Sequence, residues 1–277
     1  MDETEQKSSI ARFRELHETG CFVIPNPWDA GTARCLESIG FKALATTSAA
    51  VSFSQGRPDE VGALSVDDVL ANATEIICST TLPVSVDFQH GYAREPQDVA
   101  TNVIRCLNTG AAGFSIEDAS GEPDEPLYDR ALAVERIRAV REYLDNSGSK
   151  AIVTARCEAM LVGEAVPLRT VLDRLVAYAD AGADCLFAPG IVDRDSIVQL
   201  VRAVSPLPLN VLMSRPVAGL DIRQLADMGV RRVSVGSALN RVAWLAFRES
   251  AKNILATGNF ESLDTAMAFN ELNELFS

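Results

Sequence analysis

Three short apolar runs each end in charged residues: Pro83-Val84-Ser85-Val86-Asp87, Gly113-Phe114-Ser115-Ile116-Glu117-Asp118 and Ala151-Ile152-Val153-Thr154-Ala155-Arg156. A short apolar run of this kind is typical of a buried parallel strand. In a wound α/β fold the carboxyl ends of such strands meet at one place, where ligands bind. The three runs therefore predict carboxylates and a guanidinium at one site, a combination that favours a metal ion and an anionic substrate.

Strand-like and helix-like patterns alternate along the whole chain. The predicted strands are Cys21–Pro27, Lys42–Ser48, Pro83–Gln89, Gly113–Asp118, Ala151–Arg156, Asp184–Pro189, Pro208–Met213 and Arg231–Gly236. The predicted helices are Ala30–Ile39, Ser65–Ser79, Pro96–Asn108, Arg130–Asp145, Leu168–Ala181, Arg194–Val204, Leu220–Asp227 and Ala238–Thr257. Eight β/α units in about 250 residues are typical of a (β/α)₈ TIM barrel of the α/β class. An open doubly wound sheet is the alternative, disfavoured because no G-x-G-x-x-G follows the first strand.

We expect residues 1–277 to form a single barrel domain, since no stretch rich in Pro, Gly or Ser divides the chain. Residues 1–9 are polar and acidic, and we expect a disordered tail there, followed by a helix that exposes His17. Residues 258–277 contain one further helix pattern, Phe260–Leu275, beyond the eighth unit. An appended amphipathic helix often contacts a partner subunit, so we expect an oligomer; the alternative is a helix that closes the barrel bottom.

The net charge is −13, from 25 basic and 38 acidic residues. Nucleic acid and anionic membranes are therefore not expected as partners, whereas a small anionic substrate would need a local cation. No apolar run approaches the ~18 residues of a membrane span. The six cysteines are scattered without a C-x-x-C pair, a usage typical of reduced thiols in a cytoplasmic protein.

Residues two apart on a strand share a face, so Asp87 and Gln89 are predicted to face the barrel axis. Asp87 and Glu117 would repel each other there unless a cation lay between them. Arg156 could be that cation, but it would then be unavailable to a substrate. A hard divalent ion resolves this conflict, because Mg²⁺ takes oxygen ligands and keeps several waters.

Other polar or aromatic side chains lie near strand ends, and each has a structural alternative. Trp28 could wall the site or pack, Asp29 could cap the following helix, and Asn210 could satisfy backbone groups. His90 directly follows the third strand and is a candidate acid/base or substrate contact, or a loop residue without a task. No Ser-His-Asp triad can be assembled, and no His/Cys cluster indicates zinc.

Taken together, the residues resemble the isocitrate lyase/phosphoenolpyruvate mutase superfamily over about Phe13 to Phe247. The matching segments are Pro27-Trp28-Asp29-Ala30-Gly31-Thr32-Ala33, Ala45-Thr46-Thr47-Ser48-Ala49-Ala50, Gly56-Arg57-Pro58-Asp59, Val86-Asp87-Phe88-Gln89-His90-Gly91-Tyr92, Ile116-Glu117-Asp118, Ala155-Arg156-Cys157-Glu158-Ala159 and Ala181-Gly182-Ala183-Asp184. Singly these are modest matches, but their order and spacing are specific.

The resemblance implies a barrel whose last helix is swapped between subunits of a homodimer or homotetramer. It implies Mg²⁺, or Mn²⁺, held by carboxylates mostly through water. Asp87 would contact the metal directly, and Asp59 and Glu117 would hold metal-bound waters. Ser48 and the backbone at Ala49 and Ala50 would bind a substrate carboxylate, while Arg156 would clamp other substrate oxygens.

Two departures from the superfamily bear on the reaction. Gln89 replaces the second acidic residue of strand three, which removes one negative charge from the metal site. The isocitrate and methylisocitrate lyases carry K-K-C-G-H after strand four, where the Cys donates a proton. Asp118–Tyr128 contains no Cys, Lys or His, and it also lacks the Lys and Asn that phosphonate-forming mutases use.

The expected activity is therefore Mg²⁺-dependent C–C cleavage of a small 2-oxo or 2-hydroxy acid through an enolate, with oxaloacetate decarboxylation fitting best. Water, His90 or Tyr92 would protonate the enolate, under a loop, Gly121–Tyr128, that closes over the site. Three alternatives remain open: P–C chemistry such as phosphonopyruvate hydrolysis, a non-catalytic 2-oxo acid binder, and an unrelated phosphate-binding barrel suggested by Val235-Gly236-Ser237-Ala238.

Overall fold

The computed structural model describes residues 2–163 and 166–277, which form a barrel of eight parallel strands. The barrel strands are β1 (Phe22–Ile24), β2 (Leu44–Ala45), β3 (Val84–Asp87), β4 (Gly113–Glu117), β7 (Ile152–Arg156), β8 (Cys185–Phe187), β9 (Leu209–Leu212) and β10 (Arg232–Ser234). They are hydrogen-bonded in the order β1-β10-β9-β8-β7-β4-β3-β2. The predicted TIM barrel is confirmed, and the open doubly wound sheet is wrong.

The barrel closes between its first two strands. The Ala45 amide donates to the Pro25 carbonyl at 3.0 Å, although β1 and β2 share no regular ladder. The Asn26 side-chain amide donates to the carbonyls of Ala45 and Thr46, both at 3.0 Å. Its oxygen accepts from the amides of Val235 (3.1 Å) and Gly236 (2.8 Å). One buried amide therefore joins the ends of three strands.

Helices follow the barrel strands as the apolar periodicity predicts. They are α2 (Ala30–Ile39), α4 (Val66–Cys78), α5 (Pro96–Leu107), α6 (Arg130–Ser147), α7 (Leu168–Asp180), α8 (Arg194–Val204), α9 (Ile222–Asp227) and α10 (Ala238–Thr257). A short helix that the periodicity did not predict, α3 (Ser48–Ser54), directly follows β2. Because α3 begins at Ser48, the end of β2 turns sharply at the rim of the barrel.

The expected disordered tail at residues 1–9 is wrong from Asp2 onward, and Met1 lies outside the described residues. The chain forms α1 (Glu3–Glu18), which begins with a capping box between Asp2 and Glu5. The Gln6 side chain donates to the Leu107 and Ala111 carbonyls, and Phe13 is fully buried. The apolar residues of α1 lie at helical spacing, and their burial against the barrel outweighs the polar composition of the first turn.

The expected surface position of His17 is also wrong. Its ring lies between Phe13 and Phe22, at centroid distances of 4.7 and 5.0 Å, and it is buried. Nδ1 contacts the Phe13 carbonyl at 2.7 Å, and Nε2 contacts the Arg232 guanidinium at 3.3 Å. Burial, with Arg232 nearby, lowers the pKa of His17 to about 3. The ring is therefore a neutral contact between α1 and the barrel floor.

The C-terminal helix expected over Phe260–Leu275 is two short helices. A 3₁₀ helix covers Glu261–Thr265, Ala266 is extended, and α11 covers Phe269–Leu275. The last residues of α11 return to α2, where the Arg34 guanidinium lies 5.6 Å from the Phe276 ring centre. The expected appended segment exists, but it is broken near its middle.

Helix α10 exposes many apolar side chains. Val242, Phe247 and Leu255 are 66%, 67% and 89% exposed, and Trp244 and Leu245 are also exposed. Asn240 is the buried residue of this helix. No helix in the described part of the chain is long and apolar enough to cross a membrane.

Small polar side chains line the inside of the barrel. A TIM barrel is ordinarily filled by layers of bulky branched residues. Here Ser85, Ser115, Asn210 and Ser234 project from four different strands into an internal cavity of about 210 Å³. These side chains fill less volume than Val, Ile or Leu would, so the barrel keeps a polar chamber that opens at the carboxyl ends of its strands.

Candidate active site

The cavity is lined by residues that the sequence predicts at strand ends and by several that it does not. Ser48, Ala49, Asp59, Asp87, Arg156 and Asn210 all contribute to its wall. Asp87 and Arg156 end β3 and β7, and Asn210 lies within β9. Ser48 and Ala49 begin α3, and Asp59 lies in the loop after that helix. The volume is smaller than that of most drug-sized pockets, which suits a ligand of a few carbon atoms.

Asp87 is the last residue of β3 and is held by hydrogen bonds from three neighbouring segments. One carboxylate oxygen accepts from the amide and hydroxyl of Ser48, both at 3.0 Å. The other accepts from the Ser115 hydroxyl at 3.3 Å. The Thr46 hydroxyl accepts from the Asp87 amide at 2.8 Å. The position of this carboxylate is therefore determined by β2, β3 and β4 together.

Arg156 ends β7 and lies among three carboxylates. Its Nη1 is 3.4 Å from Asp87 and 3.2 Å from Glu117, while Nε and Nη2 pair with Glu158. The ring of Phe187 lies beneath the guanidinium, 5.4 Å from its carbon to the ring centre. Arg156 is thus the cation between Asp87 and Glu117 that the strand pattern suggested.

Acidic charge exceeds basic charge around this group. Four carboxylates interact electrostatically with the single guanidinium of Arg156: Asp59, Asp87, Glu117 and Glu158. Burial raises the pKa of Glu117 well above its usual value, and the charges of Glu158 and Asp87 add to the increase. Burial and the charge of Asp87 likewise raise the pKa of Asp59. A second cation would stabilise the ionised carboxylates.

The donor set fits Mg²⁺ or Mn²⁺. All candidate donors are oxygens, which hard divalent ions prefer, and the side-chain oxygen of Gln89 is buried without a hydrogen-bond partner. Within residues 2–163 and 166–277, no three His, Cys, Asp or Glu side chains converge closely enough to form a cage by themselves.

The segment after β3 makes a tight turn with unusual backbone geometry. Gln89, Gly91 and Tyr92 have φ of 43°, 72° and 55°. A Cβ at Gly91 would lie 2.8 Å from a Val99 methyl carbon, so this position needs glycine. Left-handed conformations at non-glycine residues are costly and concentrate at functional sites. The turn also takes Gln89 out of the alternation that would have placed it beside Asp87 on the cavity wall.

Three polar atoms of this turn are buried without hydrogen-bond partners: Gln89 Oε1, His90 Nδ1 and the Tyr92 hydroxyl. The His90 and Tyr92 ring centres are 5.5 Å apart. Burial lowers the pKa of His90 to about 4, and burial together with Asp87 and Glu117 raises that of Tyr92. At neutral pH the imidazole is uncharged and the phenol keeps its proton. These three residues lie behind the lining of the cavity, next to the carboxylates.

Other predicted site residues lie elsewhere. Asp29 is the N-cap of α2, where its carboxylate accepts from the amide and hydroxyl of Thr32, both at 2.7 Å, so the capping interpretation accounts for it. Trp28 packs against the hydrophobic core, and Ala50 is fully buried within α3. Trp28, Asp29 and Ala50 are not among the residues that line the cavity.

The structure adds site residues that the strand-end pattern did not select. Glu158 pairs with Arg156, and its amide donates to Asp118 at 2.7 Å. Asp118 is itself fixed by Arg174 and Tyr178 at 3.0 and 2.5 Å. The sequence signal for Glu158 was its spacing, because a residue two positions after Arg156 is expected to point the same way. Arg232, at the start of β10, also lines the cavity, and no strand-end pattern points to it.

The predicted loop over the site is a β-hairpin of β5 (Ala119–Glu122) and β6 (Glu125–Leu127). A Cβ added at Gly121 would lie 2.6 Å from a Val61 methyl carbon, so the hairpin contacts the segment that carries Asp59. Arg94 lies 3.6 Å from Glu125 and 5.5 Å from the Tyr128 ring centre. The hairpin is therefore ordered beside the mouth of the barrel.

A TIM barrel with a buried carboxylate–arginine site at the carboxyl ends of its strands has the arrangement of an enzyme of this fold class. The family model for phosphoenolpyruvate phosphomutase matches residues 13–255. The chain belongs to this family and, with it, to the isocitrate lyase/phosphoenolpyruvate mutase superfamily of lyases and mutases.

Among known proteins, an uncharacterised protein of Mycobacterium tuberculosis is 35% identical over 94% of both chains. The 2-methylisocitrate lyase of Escherichia coli is 28% identical, covering 89% of this chain and 84% of its own. The oxaloacetate decarboxylase of Pseudomonas entomophila is also 28% identical, covering 82% and 78%.

Solved structures show the same fold. A protein of Burkholderia cenocepacia assigned as a candidate lyase/mutase has a TM-score of 0.95 and 42% identity, covering 99% of this chain and 98% of its own. Oxaloacetate acetylhydrolase in complex with its product oxalate has a TM-score of 0.85 and 26% identity, covering 97% and 94%. The similarity thus extends over nearly the whole barrel.

Proposed function

We propose that the protein is a Mg²⁺-dependent carbon–carbon lyase that acts on a small 2-oxo or 2-hydroxy acid, and that it decarboxylates oxaloacetate or a close analogue. The observation that carries this proposal is the excess of carboxylates around Arg156, which lines a small polar cavity together with Asp87 and Asp59. Relatives that include an oxaloacetate decarboxylase support the substrate class.

Asp87 would hold the ion directly, while Asp59 and Glu117 would bind it through water; Gln89, expected to do the same, lies off the cavity wall. The ion would supply Lewis-acid polarisation of the substrate oxygens and compensate the surplus carboxylate charge. Ser48 keeps the Asp87 carboxylate in place, since both its amide and its hydroxyl donate to the same oxygen. These contacts preorganise Asp87 before a substrate arrives.

In the proposed reaction the bond between the departing carboxylate and its neighbouring carbon breaks, CO₂ leaves, and the electron pair forms an enolate. The Arg156 guanidinium stabilises the charge that develops on the enolate oxygen. Of the two predicted proton donors, Tyr92 keeps its proton while the His90 imidazole is neutral, and because both lie behind the cavity lining, either would reach the enolate through a water molecule. The ordered hairpin beside the mouth limits the access of water.

A second candidate is cleavage of a P–C bond, since the matching family model describes a phosphomutase. The hairpin argues against it, because Ala119–Leu127 contains three acidic residues and no Lys or Asn. The loop also lacks the proton-donating Cys of the lyases, and its absence favours a non-catalytic 2-oxo acid binder as a third candidate. The phosphate-binding barrel is disfavoured because Asn26 already accepts from the Val235 and Gly236 amides.

The test measures pyruvate formed from oxaloacetate with Mg²⁺ or Mn²⁺, after subtraction of the protein-free rate. Asp87→Asn should lower the metal-dependent rate at least about 100-fold, because it removes the direct ligand and its charge. Asp227→Asn, an exposed acid, is the matched control.

Persistence of metal-dependent turnover in Asp87→Asn would contradict the metal assignment. Phosphate release from phosphonopyruvate, without pyruvate from oxaloacetate, would establish P–C chemistry instead. Thermal stabilisation by 2-oxo acids without any turnover would identify a binder.

We further propose a homodimer or homotetramer in which α10 packs on a neighbouring subunit. Trp244, Phe247 and Leu255 border a groove of about 830 Å³ beside α3, and contiguous apolar surface of this kind marks interaction sites. Trp244→Asp should shift the mass in light scattering toward the monomer, whereas Glu249→Ala on the same helix should not. A monomeric wild-type protein would contradict this assembly. The cytoplasmic location stays a prediction.

A further inference from the structure

Arg232 is a buried arginine on the cavity wall without an acidic partner. It is 5% exposed and begins β10. Its Nε donates to the Asn210 side-chain oxygen at 3.0 Å, and Nη2 donates to the Thr154 hydroxyl at 3.0 Å. Nη1 lies 3.3 Å from Nε2 of His17. All three partners are uncharged, since the buried His17 ring is neutral at physiological pH.

Arg136, which is also buried without an ion pair among the described residues, donates to the His90 carbonyl, lies over the Tyr128 ring and is outside this cavity. Three partly buried arginines are instead paired with acids. Arg156 contacts three carboxylates, Arg174 contacts Asp118, and Arg141 contacts Asp184. Arg232 takes part in none of the ion pairs of the described residues, and its side-chain contacts are Asn210, Thr154 and His17. A buried charge without a counter-charge is strongly unfavourable, so a guanidinium in this position is suited to receive an anion.

Arg232 has N–H donors that its protein contacts do not use. A guanidinium has five N–H groups, and the contacts to Asn210, Thr154 and His17 use three of them. Arg232 lines the same cavity as Asp87 and Arg156. Planar arginine forks are well matched to carboxylates, which they bind through paired hydrogen bonds.

Arg232 and Arg156 lie at different depths in the barrel. Thr154, which contacts Arg232, precedes Arg156 by two residues on β7 and shares its inward face. Two residues of a strand span about 6.6 Å. The contact of Arg232 with β7 is therefore closer to the barrel floor than Arg156 is, by about that distance. A ligand that begins at Asp87 and Arg156 and extends inward would therefore direct its far end toward Arg232.

We propose that Arg232 binds the distal carboxylate of the substrate, so that the enzyme selects four- or five-carbon dicarboxylates over monocarboxylates. This inference rests on the proposed function, because it takes the other end of the substrate to bind at the metal site of Asp87. Asn210 orients the guanidinium and donates in turn to Ser234 at 2.9 Å. The positive charge that the substrate meets deep in the cavity is then Arg232, because acids of the protein already surround Arg156.

Two small organic acids can distinguish binding at the two ends of the site. (S)-Malate and (S)-lactate share the 2-hydroxy acid group and differ by the distal carboxylate. Isothermal titration of the whole protein with Mg²⁺ should show malate binding about 10- to 100-fold more tightly than lactate. Arg232→Gln should bring the two affinities within about threefold and leave that for lactate unchanged. Arg232→Lys, which keeps the charge but loses the fork, should give an intermediate preference.

Arg141→Gln is the control, because it removes another largely buried arginine that lies outside the cavity. It should keep the preference for malate, and the melting temperature of each variant verifies folding. Retention of the full malate preference in Arg232→Gln and Arg232→Lys, or equal binding of both acids to the wild-type protein, overturns the inference.

A third variant distinguishes this inference from the proposed function. Asp87→Asn should weaken both acids equally, which tests the metal-binding end alone. If Asp87→Asn binds both acids like the wild-type protein while Arg232→Gln loses the preference, the proposed metal chelation fails and the role of Arg232 stands. If neither acid binds the wild-type protein, both are contradicted.

Discussion

Arg156 and Arg232 are both arginines on the cavity wall, but Arg156 is surrounded by carboxylates and Arg232 by uncharged groups. Arg156 ends a predicted strand, so its position at the site could be inferred from the sequence. The depth of Arg232 and its lack of an acidic partner could not, because both depend on where α1, β7 and β9 place His17, Thr154 and Asn210. Residue type and alternation predict which side chains reach the site, whereas their charge balance arises from tertiary contacts.

His17 should make the stability of the protein depend on pH. Its folded-state pKa of about 3 lies below its unfolded value of 6.5. Below pH 6.5 the unfolded chain binds a proton that the folded chain does not, so stability falls with decreasing pH. Between pH 7 and pH 5 this residue should cost about 2 kcal/mol of unfolding free energy.

His17→Gln keeps groups that can replace both ring contacts but does not titrate. Urea unfolding of both proteins at pH 7 and pH 5 should show a smaller loss of stability in the variant, by about 2 kcal/mol. Other acid-sensitive groups are common to both proteins and cancel in the difference. Equal losses in the two proteins would mean that His17 is protonated in the folded state.

In helix α1 the spacing of the apolar residues indicates the structure better than the polar composition does. Barrel strands were predictable because each is a short apolar run, and most helices because their apolar faces repeat regularly. The hairpin β5–β6 was not, since its residues are small, acidic or proline and its pairing depends on contacts with Val61 and Arg94. The break between the two C-terminal helices has no local signal comparable to Gly258, which ends α10.

Phe13 should anchor α1 to the barrel floor. It is fully buried, and its ring is near Gly113 of β4, where an added Cβ would lie 3.0 Å away. Phe13→Ala should destabilise the protein by about 3–5 kcal/mol, because it removes a large buried ring and leaves a cavity. Glu15→Ala, exposed on the same helix, should change stability by less than about 0.5 kcal/mol. Chemical unfolding measures both, and equal effects would show that α1 is peripheral.

At the scale of the whole molecule, the ring of strands is completed by side-chain contacts of Asn26 as well as by ladders. The carbonyls of Ala45 and Thr46 accept from its amide, and the amides beyond β10 donate to its oxygen. Asn26→Asp would place a carboxylate against two carbonyls, and we expect a loss of about 3 kcal/mol or more in unfolding free energy. Asn146→Asp, exposed on α6, should be nearly neutral.

Thermal or urea unfolding measures this effect without reference to activity, which matters because Asn26 also lines the cavity. A stability for Asn26→Asp within about 0.5 kcal/mol of the wild-type value would show that backbone contacts alone close the barrel.

The closure by Asn26 also has a consequence for the order in which the chain can fold. Its partners Val235 and Gly236 lie 209 and 210 residues later in the chain. During synthesis β1 and β2 leave the ribosome first, yet β1 has no neighbouring strand on its other side until β10 appears. Contacts of such long sequence separation slow folding and leave strand edges exposed in the meantime. The nascent protein is therefore most vulnerable to aggregation just before its last strand is made.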